Sequence, residues 1–144
     1  MNRRIALAAS VAALVLALAL VPSAFGAKGK PRATTTTTTG SSMSLVLLNS
    51  TDGLPHWGQQ VRFDVSSDQT TQPHVSLKCY QGGSLVYTTQ TGYYDGYAWP
   101  WTQTMTLSSD AWTGGAADCS ARLYSLDNSG VTTTLATLDF HVSP

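Results

Sequence analysis

Two cysteines, three histidines and eight aspartates carry most of the chemistry open to this sequence. A nucleophilic triad needs acid, base and nucleophile within mutual hydrogen-bond reach. His56, His74 and His141 are scattered, and none lies near a Gly-x-Ser-x-Gly element. Asp52, Asp68, Asp95, Asp110 and Asp127 fall in turn-rich stretches, where carboxylates bond turn backbone, and Asp64 and Asp118 fall on outward strand faces. Glutamate is absent, no aspartates alternate as a calcium loop requires, and no Cys/His spacing suits zinc. We therefore expect no catalytic residue, no metal and no cofactor, and no carboxylate pair stands out for glycoside hydrolysis. Cys79 and Cys119, in an exported chain, read as one disulfide. Closing that loop of about 40 residues contributes about 4 kcal/mol in the chain-entropy model.

The aromatic residues are the better functional clue. Val75 to Thr89 holds two alternating runs around Gly82-Gly83, the pair expected of a tight hairpin because both residues accept positive φ. A two-residue turn sets Tyr80 opposite Leu85, Cys79 opposite Val86 and Lys78 opposite Tyr87. Val75, Leu77, Cys79 and Val86 then face inward, with Lys78, Tyr80 and Tyr87 outward. On the strand of Cys119, alternation turns Ala121 and Leu123 inward and Ser120, Arg122 and Tyr124 outward. One outer sheet face is thus expected to carry Tyr80, Tyr87 and Tyr124 with Lys78 and Arg122. Tyrosines with a few cations suit a binding surface, although the same residues also serve as plain cross-strand packing. A second cluster, Tyr93, Tyr94, Tyr97, Trp99 and Trp101, occupies a connection where Asp95-Gly96 turns and Pro100 holds Trp99 extended. Those rings either stack on sugars or close the edge of the fold, the second reading being preferred for Trp99 and Trp101. Trp57 and Trp112 are read as core plugs.

The elements that position these residues follow a leader. Arg3 and Arg4 precede an unbroken apolar run from Ile5 to Val21, Pro22 breaks it, and Ala24 and Gly26 suit a peptidase cut before Ala27. Residues 1–26 read as a signal peptide, and 27–42 as a linker expected to be disordered or extended, since the threonine run Thr34 to Thr39 has no apolar face. That run and Asn49-Ser50-Thr51 also match glycosylation acceptors. Five of the eight cations precede residue 40, so the remainder sets Arg62, Lys78 and Arg122 against eight aspartates, a net charge of −5. This balance argues against nucleic acid and anionic membrane surfaces as partners.

Residues 43–144 suit one domain, and no helical period appears. Short alternating runs separated by turn clusters predict strands at 43–49, 60–66, 74–80, 85–90, 102–107, 117–126 and 131–142. Val61, Phe63 and Val65 point inward in the second, and the differing phases of Leu135 and Leu138 predict a bulge near Ala136. This series of seven strands resembles the immunoglobulin-like sandwich of small secreted bacterial proteins, with strands A, B, C, C′, E, F and G. Two features depart from antibody domains: Cys79 stands on the third strand rather than the second, and Ala117 occupies the tyrosine-corner site. The resemblance implies neighbouring C and F strands, hence a disulfide within one sheet.

The resulting expectation is an all-β, secreted or cell-surface, non-catalytic module, monomeric and free of the membrane once its leader is cut. It would bind a protein or glycan. The alternatives are a structural envelope spacer and a small inhibitor of an extracellular hydrolase acting through the 93–101 cluster. N-terminal sequencing of the secreted protein should begin at Ala27, and a start at Met1 would make residues 5–21 an anchor instead.

Overall fold

A computed structural model describes residues 33–93 and 103–144. The leader, residues 27–32 of the linker, and Tyr94, Tyr97, Trp99 and Trp101 lie outside them. The described residues form strands only: β1 (Thr34–Thr37), β2 (Ser41–Leu47), β3 (Gln60–Ser67), β4 (His74–Gln81), β5 (Ser84–Gly92), β6 (Met105–Thr106), β7 (Ala117–Leu126) and β8 (Thr132–Val142). They make two antiparallel sheets, one of five strands in the order β1-β8-β7-β4-β5 and one of three in the order β2-β3-β6. One core lies between them, with Met43, Val61, Phe63 and Met105 from the smaller sheet against Val75, Leu77, Ala121, Leu123, Leu138 and Phe140 from the larger. Strict period-two alternation generates it: Val75, Leu77 and Cys79 are fully buried while Lys78 and Tyr80 are exposed.

The β4–β5 hairpin turns on Gly82 and Gly83 at φ 55° and 85°, the two positive values of a type I′ turn. Its register departs from simple alternation. Tyr80 pairs with Leu85, but Cys79 pairs with Tyr87, leaving Val86 as an extra residue. The bulge turns Tyr87 inward, where it packs on the core and its ring centroid lies 6.2 Å from that of Trp112. The expected outward Tyr87 is thus corrected: the local gain from burying its ring beside Trp112 outweighs unbroken pairing. At the other end of the hairpin Gly92 has φ 151°, and a Cβ there would meet the His74 Cα at 2.6 Å and the Pro73 carbonyl oxygen at 2.7 Å. Only glycine allows β5 to cross so close.

A second bulge interrupts β7–β8, where Leu123 pairs with Ala136 and Tyr124 with Thr134, leaving Leu135 unpaired at the place the phase conflict predicts. Leu135, Ala136 and Leu138 are then all buried. The threonine run, expected to be disordered or extended, is extended and also paired. Thr34–Thr37 pairs antiparallel with Ala136–Asp139 and covers the edge of β8, with every residue exposed. The chain then crosses to the other sheet through Gly40, so the first predicted strand begins two residues early, at Ser41. The predicted 102–107 strand shrinks to Met105–Thr106, although Met105 and Leu107 are both buried as expected.

Cys79 and Cys119 are bonded and directly paired across β4 and β7, with Cα atoms 4.0 Å apart, so the link lies within one sheet. Replacing both cysteines with serine should lower stability by about 2–5 kcal/mol. Chemical denaturation should show this as a lower midpoint, and an unchanged midpoint would mean that pairing and packing alone hold β4 to β7.

Candidate functional site

Register arranges the outer face of the larger sheet in rows. One row runs Leu85, Tyr80, Asp118 and His141, and the next runs Thr88, Lys78, Ser120, Asp139 and Thr34. Below them come Gln90, Ser76, Arg122, Thr137 and Thr36, then His74 and Tyr124. The upper and lower halves of this face behave differently.

In the lower half the side chains pack on one another. The His74 and Tyr124 rings stack at 5.3 Å with an interplanar angle of 23°, and the Arg122 guanidinium lies 4.9 Å from the Tyr124 centroid. Tyr124 is only 9% exposed. Burial holds the His74 imidazole below its ordinary pKa of 6.5, since a charged ring there is poorly solvated.

In the upper half a concavity of about 400 Å³ opens between Tyr80, Asp118, Ser120, Asp139, His141 and Thr34. Its origin is a size difference: Ser120 is small, its neighbours are large, and the backbone at Cys119 and Phe140 forms the floor. Tyr80 is 38% exposed. One Asp118 oxygen lies 2.7 Å from the His141 Nδ1, which fixes the imidazole across the strand pair. Among the described residues no hydroxyl is hydrogen-bonded to the far nitrogen of this ring. Among these residues no three His, Cys or Asp side chains gather as a metal site.

Of the sequence-predicted surface residues, Tyr80 and Lys78 are exposed, Arg122 is half-buried on Tyr124, and Tyr87 has moved to the inner side. Tyr93 is half-buried, its N–H donating to the Pro73 carbonyl. The rest of the 93–101 cluster lies outside the described residues. Sequence reasoning missed Asp118, Ser120, Asp139, His141 and Thr34 as one group. The only available signal was alternation on β7 and β8, once the disulfide had set β7 beside β4.

The ends of the sandwich separate the two tryptophans read as plugs. Trp112 is fully buried and donates its indole N–H to the Gly115 carbonyl. Trp57 is 41% exposed, and so is no plug. Its indole N–H donates to the Trp112 carbonyl at 3.0 Å, while its backbone N–H donates to Ser143. Beside it, the His56 ring nitrogens lie 3.0 Å from an Asp52 carboxylate oxygen and 3.2 Å from the Pro144 carbonyl oxygen. Two acceptors favour the doubly protonated ring, so the Asp52 bond raises the His56 pKa and, together with the Leu54 N–H, lowers that of Asp52 to about 2. Comparison of the chain with protein-family models, curated proteins and solved structures finds no match.

The two perturbed histidines give opposite pH dependence. His74, lowered in the fold, adds stability above pH 6.5 that is lost as pH falls and the ring must charge where burial leaves it poorly solvated. His56, raised in the fold, adds stability below pH 6.5 that is lost as pH rises through its folded pKa. Thermal melting from pH 5 to 8 should show His74→Phe removing the acid-side loss and His56→Gln removing the acid-side gain. Two variants with the same pH profile as the parent would contradict both assignments.

Proposed function

We propose that this chain is an exported, non-catalytic, immunoglobulin-like module that binds a protein or glycan through the outer face of its five-stranded sheet. The strand order supports the immunoglobulin-like reading: β5-β4-β7-β8 opposite β2-β3-β6 corresponds to C′-C-F-G opposite A-B-E. Two features set it apart from antibody domains, namely the added antiparallel β1 and the in-sheet disulfide. The disulfide suits an oxidising compartment, in line with the apolar leader. The acidic charge balance argues against nucleic acid, and the chain acts as a monomer.

One observation carries the binding reading: Tyr80 stands exposed on the rim of a concavity whose polar groups are only partly used within the fold. A folded domain tends to bury an aromatic ring or pair it, as this one does with Tyr87 and Tyr124. Those two packed rings equally favour a spacer role for the rest of the face.

Surface plasmon resonance against envelope polysaccharide and co-secreted protein fractions tests the proposal. Tyr80→Ala should weaken binding about tenfold, as for a central interface aromatic, with melting temperature unchanged. Binding that survives both Tyr80→Ala and Lys78→Ala undiminished would move the site off this face, and a complete lack of binding would leave the spacer.

A further inference from the structure

The proposed binding face rests on Tyr80, and its ligand class is written in the groups around that ring. We infer that the concavity over Ser120 receives a ring of a neutral saccharide. Three physical features converge on this ligand. The first is the pairing of one aromatic face with acceptors. The face of Tyr80 carries the negative side of its quadrupole and attracts the polarised C–H groups on an apolar sugar face. Asp118 and Asp139 are acceptors only, and Ser120 and Thr34 each donate or accept. A ligand with C–H groups on one side and hydroxyl donors around its edge satisfies both sets at once.

The second feature is charge. Two carboxylates beside the ring disfavour a uronate, a phosphate or a sulfated sugar. A cationic side chain is the stronger competitor, but Asp118 is already engaged by His141, and Lys78 shares the row of Ser120 and Asp139. The local field is thereby moderated, and neutral donors fit better than a full positive charge. Size is consistent, since about 400 Å³ lies at the small end of the range for ligand pockets and the site is open at its sides.

The third feature is preorganisation. Cys79 sits between Lys78 and Tyr80, and Cys119 between Asp118 and Ser120. The disulfide therefore fixes, from directly beneath, the separation between the aromatic face and the acceptors. A shallow site gains affinity chiefly by avoiding such ordering costs on binding.

The test uses the full chain with short oligomers of glucose, mannose, galactose and N-acetylglucosamine, alongside oligohexuronate and oligolysine, followed by calorimetry and amide chemical shifts. At least one neutral oligomer should bind and shift the amides of Tyr80, Ser120 and His141. Tyr80→Ala should cut affinity tenfold or more, Tyr80→Trp should retain it, and Asp118→Asn should weaken it. Double Cys→Ser protein that still gives a folded spectrum should bind several-fold more weakly, because the ring and the acceptors are no longer held at fixed spacing. Failure of every neutral oligomer overturns the saccharide assignment. If oligolysine or a secreted protein instead binds in a Tyr80-dependent way, the ligand class falls and the binding face stands. If nothing tried depends on Tyr80, both fall.

Discussion

The Cys79–Cys119 bond is the constraint on which the two faces of the larger sheet jointly depend. Side chains alternate across a strand, so a cross-link between inward residues fixes everything on the outward side by one-residue neighbours. Inward, the buried bridge joins the core beside the Leu77–Ala121 pair. Outward, the same pair sets Tyr80 opposite Asp118 and Lys78 opposite Ser120. Its contribution, about 4 kcal/mol by chain entropy, is large against a typical domain stability of about 5–15 kcal/mol. A core of this size leans on it, and so does the shape of the concavity.

Features encoded by short-range pattern were legible in the sequence. The Gly82-Gly83 turn, the inward set Val61, Phe63, Val75 and Leu77, and the Asp127 turn all follow from residues a few positions apart. Asp127 shows why: its carboxylate accepts from the Ser129 hydroxyl and from the Val131 and Ser129 N–H groups, and those bonds lower its pKa. Even the Leu135 bulge was visible, because two leucines cannot share a face at that spacing without one. The Val86 bulge was not. Its causes lie far along the chain, in Trp112, which packs against Tyr87, and in Ser109, whose hydroxyl donates to the Val86 carbonyl. One of the three tyrosines expected on the outer surface was lost through that single unseen residue.

The threonine run shows a different limit. Composition correctly says that Thr34–Thr37 has no face to bury, and all four residues are exposed. An edge strand needs no buried face when a neighbouring strand has unpaired backbone groups to offer. β8 offers them from Ala136 to Asp139, and β-branched threonine suits the extended backbone. The Thr38 N–H extends the ladder to the Leu135 carbonyl before Gly40, at φ 81°, redirects the chain. Trp57 is the mirror case, an apolar ring left outside because its N–H and backbone were needed to tie the loop to Trp112 and Ser143.

What the outer face can recognise is decided by what the fold has already used. Among the described residues Arg122 packs on Tyr124 and Tyr124 on His74, so the cation and rings of the lower half are already in contact with one another. On the upper half, His141 holds one oxygen of Asp118 and leaves the other, with Asp139 and the Ser120 hydroxyl, around an unstacked Tyr80. Arginine-rich surfaces read anions by bidentate bonding, and this face has withdrawn its arginine from that role. Acceptors beside an exposed aromatic ring remain, and on the proposed reading they would meet donors carried on a ligand with an apolar side. The chemistry left open on the upper half is thus set in part by Arg122, Tyr124 and His74, which are in contact with one another in the lower half.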